Sequence, residues 1–338
     1  MEIKKLKDSG KDKSNIARKN ILRKSKEIKG IPIRGYDFDN GINYEEIIKS
    51  YSSTGAQASN LGKAIEIINE MIKENAFIFF GYTSSMVSSG LREIFRWLVK
   101  HKKINVIVTT AGGVEEDIIK CLGDFYLGDF RASGAELRKK GINRIGNIYA
   151  ANNRYIEFEE FFQPLLKELY DEQKQTGKII SASEIVWKLG EKINDEKSIC
   201  YWAWKNKIKI YCPAITDGAL GDNIYFFKSK NPEFKIDITE DIVELNNSTI
   251  GLKKSGVILL GIGVIKHSIL NANMFRNGAD YAVYVNEAEE HNASDAGALP
   301  EEAISWGKIL PKAKHVKVFG DATIIFPLIV ASTFARQN

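Results

Sequence analysis

Cysteine is scarce in this chain of 338 residues. Cys121, Cys200 and Cys212 are the three, no two form a CxxC pair, and all lie beside apolar runs. This excludes a disulfide framework and a thiolate metal cluster, and it fits buried thiols in a reducing compartment, here the cytoplasm. Histidine is equally sparse: His101, His267, His291 and His315 show no metal-ligand spacing, so no metal is expected. No run of eighteen apolar residues occurs, so no membrane span is predicted. The first residues are charged throughout, with no apolar segment to serve as a secretory signal. Internal repeats and low-complexity stretches are also missing.

What is present describes a soluble globular protein, with 44% hydrophobic and 27% charged residues. The net charge of +5 is unevenly spread. Residues 1–30 hold eleven Lys/Arg against four Asp/Glu, a balance of +7, which leaves −2 for the rest. A basic segment on a slightly acidic body does not suit a nucleic-acid-binding fold. Residues 1–30 read as a solvated, partly disordered extension, and residues 31–338 as one domain.

Within that domain, helical spacing covers Tyr44 to Tyr51 and Asn60 to Ile72, with Gly55 punctuating the link. Ala76 to Gly81 is a continuous apolar run, as in a strand buried on both faces. A helix follows from Ser88 to Lys100, a strand from Ile104 to Thr110, and a helix from about Val114 to Cys121. Later strands are Ile208 to Cys212, Gly256 to Leu260, Tyr281 to Val285 and Val316 to Phe319. The alternation predicts an α/β fold with a mainly parallel sheet and helices on both faces. Residues 123–200 lack strong strands and read as a largely helical insertion in the same domain.

Ligands in such folds bind at the carboxyl ends of the strands. Ser84 and Ser85 follow the first strand and can offer donors to a phosphate; an ordinary turn reads the same way. Thr110, Ala111, Gly112 and Gly113 follow the second, and the paired glycines allow close backbone approach. Glu115, Glu116 and Asp117 come next, where the plain reading is acids favouring a first helical turn. Gly261-Ile262-Gly263 supplies the start of a dinucleotide fingerprint, but Lys266 stands where its third glycine belongs. Asp217 and Asp222 lie in a glycine-rich turn. Ser294, Asp295, Glu302, Trp306 and Lys308 fall close together near the C-terminus, carboxylates beside an indole and an amine. The acids suggest a pocket for a polycation, with Trp306 adding cation–π attraction of about 1–2 kcal/mol. A free lysine keeps its proton to about pH 10.4, so a nucleophilic one needs burial or a nearby cation to lose it.

At these residues the chain resembles the deoxyhypusine synthase family. The matching stretches are Arg34 to Phe38, Gly81 to Ser84, Val108 to Asp117 (VTTAGGVEED), Gly141 to Asn147, Asp217 to Asp222, Val264 to Asn273, Asn277 to Tyr284, Ala303 to Ile309 (AISWGKI) and Val316 to Ala322. They run from about residue 31 to the end. The resemblance implies a Rossmann-like fold variant that binds NAD, and a transferase that oxidises spermidine to an imine. It further implies that Lys308 exchanges into that imine, releasing 1,3-diaminopropane, and that the aminobutyl group then passes to a lysine of the hypusine-containing translation factor precursor. The implied catalytic residues are Lys308 and His267. The implied amine contacts are Glu115, Glu116, Asp222, His267, Ser294, Asp295, Glu302 and Trp306. The implied cofactor contacts are Ser84, Ser85, Ser88, Thr110, Ala111, Gly112, Glu116, Asp217, Ile262, Glu287, Ala288, Asp321 and Ala322. Homotetramers with sites between paired subunits are implied too, as is an N-terminal extension able to cover the site. Ser85, Ile262, Glu287, Asn292 and Ala293 depart from the expected pattern. Two other readings stand beside this one: a homospermidine synthase using putrescine as acceptor, and a silent regulatory subunit of a paralogous synthase.

Overall fold

The structure, a computed structural model, describes residues 13–337. These fall into two compact units, one ending at Arg34 and the other starting at Gly35. Of the basic extension expected over 1–30, residues 1–12 lie outside the described residues. Residues 13–21 form a helix, and residues 13–30 are exposed throughout.

The unit from Gly35 onward is built on one six-stranded parallel sheet. Its strands are β1 (Phe77–Tyr82), β2 (Val106–Thr109), β7 (Lys209–Tyr211), β9 (Ser255–Leu260), β10 (Ala279–Asn286) and β11 (Ile309–Phe319), in the order β11-β10-β9-β1-β2-β7. Phe79 of β1 lies between Val106 and Val257 of its two neighbours, so both partners of this strand are parallel and in register. Alternate strand residues supply two buried layers. Phe80, Tyr82, Ile107 and Val283 belong to one, Phe79, Val108, Leu259 and Tyr284 to the other. A sheet covered on both faces needs apolar residues at every position, which is why these strands read as unbroken apolar runs.

The two faces differ in thickness. One carries most of the helices, including Ala56–Lys73, Leu91–Lys100, Ala111–Leu122 and Ala322–Ser332. The other is covered by Val264–Met274, with Leu245 of Thr239–Asn247 and Ala303 of Pro300–Ser305. The chain runs from β1 to β2 and β7 on one side, then returns to place β9, β10 and β11 on the other. The order therefore reverses between β1 and β9, and the crevice beyond their carboxyl ends is the switch point of the sheet.

Several boundaries moved. The second helix starts at Ala56, directly after Gly55 at φ 93°, not at Asn60. The helix after β1 is split into Ser84–Ser88 and Leu91–Lys100. Residues 123–200 are less purely helical than expected. They contain a three-stranded antiparallel sheet of β3 (Tyr126–Leu127), β4 (Ile142–Ile145) and β5 (Ile148–Ala151). They also contain β6 (Ile180–Ser181), which pairs with β8 (Ile236–Asp237). Strand β11 begins at Ile309, well before Val316, with a break in register against β10 between Ala279 and Tyr281. Among the described residues, no helix is long and apolar enough to cross a membrane.

Candidate active site

The sequence-predicted residues gather in three places. The first is a cavity of about 480 Å³ on the thinner face, lined by His267, Asp295, Glu302, Trp306 and Lys308 together with Lys266, Asn271, Met274 and Leu299. Helix Val264–Met274 forms one wall, and the short helix Pro300–Ser305 with the turn after it forms the other. Gly307 adopts φ +70°, where a side chain would be strained, and this turn delivers Lys308 to the start of β11. The Lys308 backbone is fixed on both sides: its N–H donates to Ala303 O, and its carbonyl accepts from Ala279 N, each at 3.0 Å.

Lys308 is 8% exposed, and its Nζ lies 5.7 Å from the centre of the Trp306 ring. Among the described residues, that Nζ makes no hydrogen bond or ion pair. In the same cavity, His267 Nδ1 lies 3.5 Å from Asp295 Oδ1, while the other Asp295 oxygen is buried and, among the described residues, without a hydrogen-bonding partner. Buried polar atoms are nearly always paired, so an unpaired carboxylate oxygen in a cavity is a place for a cationic donor. Trp306, 64% exposed, forms the rim with Glu302. Ser294 turns away: its Oγ and N–H both donate to Asn292 Oδ1, at 2.6 and 2.9 Å.

The second place is a cavity of about 350 Å³ at the switch point, lined by Met86, Gly261, Ile262, Asn286, Glu287, Ala288, Gly320, Asp321 and Ala322 among others. Five predicted cofactor residues meet here: Ile262, Glu287, Ala288, Asp321 and Ala322. Asp321 caps helix Ala322–Ser332, its Oδ1 accepting from Thr323 N and Oγ1 at 2.8 Å each. Gly261 adopts φ +91°, and a Cβ there would press on the Thr83 side chain.

The third is an acidic ridge beyond β2 and β7. Helix Ala111–Leu122 begins three residues earlier than expected, so Glu115 and Glu116 fall past its first turn and are buried. The plain helix-dipole reading is therefore set aside. Glu115 Oε2 accepts from Leu220 N at 2.7 Å, at the start of helix Gly218–Lys230. Glu116 accepts from Ser88 Oγ. Burial pushes both carboxyls up to about 7. Gly112 packs against Ser84, and a Cβ on Gly218 would collide with Glu115. Ala111 is fully buried, and Thr110 Oγ1 is buried with no hydrogen-bonding partner among the described residues. Ser85, Asp217 and Asp222 are exposed.

The ridge follows β2 and β7, whereas the Lys308 cavity lies by β9, β10 and β11. Glu115, Glu116 and Asp222 are thus not among the residues lining that cavity. Sequence reasoning passed over Asn271 and Met274, which line it as well. Their spacing of four and seven from His267 puts all three on one helix face and was there to be read. Asp117, in contrast, is structural. Its carboxylate pairs with Arg92 at 2.8 Å and accepts from Ser198 Oγ, Ile199 N and Cys200 N.

An α/β fold with a crevice at its switch point, and a second cavity that holds a buried lysine among acidic and aromatic residues, has the layout of an enzyme. Comparison with known proteins names the class further. The sequence profile of the deoxyhypusine synthase family matches residues 46–333. A protein of that family from Methanocaldococcus jannaschii is 55% identical over 325 residues, covering 92% of this chain and 98% of its own. The deoxyhypusine synthase of Musa acuminata is 50% identical over 331 residues, covering 90% and 88%. A crystal structure of a deoxyhypusine synthase homologue from Entamoeba histolytica superposes with a TM-score of 0.68 at 36% identity, covering 90% of this chain and 97% of that one. The chain belongs to the deoxyhypusine synthase family and is a transferase.

Proposed function

We propose that this protein transfers the aminobutyl group of spermidine, through an imine on Lys308, to a lysine of the hypusine-containing translation factor precursor, with 1,3-diaminopropane as leaving group. One observation carries the reading: a buried lysine whose Nζ makes no hydrogen bond or ion pair among the described residues shares its cavity with Asp295, one of whose carboxylate oxygens is unpaired among them too. A substrate with separated ammonium groups satisfies that carboxylate, while Lys308 stays free to attack. Asp295 and Glu302 hold the cationic ends, Trp306 stacks on the chain at the rim, and His267, oriented by Asp295, moves the proton. Burial keeps water from the imine. The open rim at Trp306 and Glu302 admits a lysine side chain from a macromolecule.

NAD is assigned to the switch-point cavity, whose lining includes Asp321 and Glu287, carboxylates that suit ribose hydroxyls. Thr110, with its unpartnered hydroxyl, Ser84, Ser88, Gly112, Glu116 and Asp217 would hold its other parts. When bound, NAD supplies the hydride acceptor for amine oxidation and returns the hydride after transfer.

The reading includes a homotetramer. Ile238, Ile242, Met274 and Phe275 form an exposed apolar patch next to the Lys308 cavity. A second copy seated there would bring acidic residues such as Glu115 and Asp222 to the amine site. We assign the chemistry to the unit beginning at Gly35, with the protein in the cytoplasm and apart from nucleic acid and membranes. The test is borohydride reduction with NAD and spermidine present, followed by peptide mass analysis. An aminobutyl adduct on Lys308, dependent on NAD, is expected; no adduct at saturating ligands overturns the reading.

A further inference from the structure

Lys266 is the residue that spoils the dinucleotide fingerprint after β9, and the structure gives it other work. It lies in the first turn of helix Val264–Met274, 2% exposed, with its Nζ 5.2 Å from the centre of the buried Tyr284 ring. That Nζ donates to the carbonyls of Asp295 and Ala298, the second at 2.9 Å. A second lysine does the same from another element. Lys317 of β11 donates to the carbonyls of Ala288 and, at 3.0 Å, Gly297. All four acceptors belong to one loop, residues 287–298 after β10.

This loop serves both cavities. Glu287 and Ala288 line the switch-point cavity, and Ala293, Asp295 and Ala298 line the Lys308 cavity. It contains no strand and, within 287–298, only the 3-10 turn Glu290–Asn292 and a turn at 295–297 closed onto the Ser294 carbonyl, so no ladder bonds hold it. It also folds back tightly, since a Cβ on Gly297 would strike the Glu289 carbonyl. An ammonium group, with three donors radiating from one point, can gather carbonyls that no regular structure pairs. Burial lowers the proton affinity of both lysines, so their retention as donors has an electrostatic cost that the carbonyls offset.

We propose that Lys266 and Lys317 are positioning residues that hold the 287–298 loop as the common wall of the two cavities, Lys266 setting the backbone of Asp295 and Lys317 fastening both ends of the loop. The proposal rests on the reading of those cavities as amine and cofactor sites, and it predicts an asymmetry that general destabilisation would not produce.

Replacing each lysine by methionine keeps most of the volume and removes the donors. In Lys266→Met, spermidine KM should rise about tenfold or more, while the NAD dissociation constant, read by fluorescence titration, stays within about twofold. In Lys317→Met, both constants should rise about tenfold or more. Amide exchange of the ligand-free proteins, followed by mass spectrometry, should quicken across 293–298 in the first variant and across 287–298 in the second. Should either methionine variant fail to fold, Lys266→Gln and Lys317→Gln, which keep two N–H donors on a shorter, uncharged side chain, should show the same pattern at smaller size. Unchanged loop exchange in folded variants, or an equal rise of both constants in Lys266→Met, overturns the proposal. The exchange measurement needs no turnover. An inactive parent protein would therefore sink the functional reading and leave the loop question decided on its own data.

Discussion

In the ridge formed by Glu115, Glu116 and Asp117, every carboxylate has a donor from another part of the chain: Leu220 N, Ser88 Oγ, and Arg92 with the start of helix Ile199–Asn206. In the cavity beside Lys308, an ammonium lacks hydrogen-bonding partners among the described residues, and an Asp295 oxygen lacks one too. Both regions bury charge. Each ridge carboxylate is held in place by a donor of the protein itself and keeps its remaining lone pairs for the ligands proposed above, whereas the cavity leaves whole groups unspent for a ligand. A buried polar group without a partner costs about 1–3 kcal/mol, so a folded chain retains such groups where a ligand completes them. The contrast separates two kinds of mutational outcome. Changes in the cavity should alter turnover with little effect on folding, and changes in the ridge should alter stability and its response to pH in addition to any effect on ligand binding.

The strongest way to break this division is Lys308→Ala. Activity should fall by at least about 10⁴-fold and the borohydride adduct should vanish, while the thermal midpoint stays near that of the parent. A large loss of stability would place Lys308 with the structural residues instead. Next in size is Asp295→Asn, which keeps the shape and removes the charge. Spermidine KM should rise about 10²-fold with a smaller change in kcat, as steady-state kinetics can measure.

The ridge is probed by Glu115→Gln with Glu116→Gln. In the folded protein these carboxyls hold their protons to about 7, against an ordinary glutamate value near 4.3. Between those values the folded state binds more protons than the unfolded one, so raising the pH from 5 to 8 destabilises the parent. The double variant lacks this penalty. Its melting temperature relative to the parent should therefore climb from pH 5 to pH 8, by a few degrees in calorimetry. A constant difference would show that the two carboxyls are already ionised at pH 5. The smallest effect is expected from Trp306→Leu, where loss of a rim cation–π contact of about 1 kcal/mol raises spermidine KM roughly fivefold and leaves the midpoint unchanged.

Much of this was legible in the sequence because the central sheet is buried on both faces, and double burial writes itself as apolar runs such as Phe77 to Gly81. Features with weaker apolar signatures were missed. Tyr126 and Leu127 of β3 are exposed and only two residues long, so neither run nor alternation marks them. The strand expected from Val316 to Phe319 starts at Ile309 instead and includes Pro311 and Lys312, which an edge strand such as β11 tolerates. Gly112 and Gly113 looked like a turn but lie inside a helix, where Ser84 and Thr109 leave no room for a Cβ. For the site, Asp295, Glu302, Trp306 and Lys308 were legible as a cluster because the chain brings them together within one short segment. The anchoring role of Lys266 was not, since its acceptors are backbone carbonyls, which carry no sequence signature.

Strand β11 carries one more consequence. It is the outermost strand on its side of the sheet, and a long parallel edge offers unpaired amides and carbonyls to any other chain that meets it. Pro311, Lys312 and Lys314 lie along it, with Lys314 held by Glu70 at 2.6 and 2.7 Å. A proline that cannot donate and charges that repel a second strand are ordinary guards against cross-chain aggregation. The strand that begins directly after Lys308 thus also carries the residue types that blunt an exposed edge, so substitutions made along it to reshape the active site would bear on self-association as well as on catalysis.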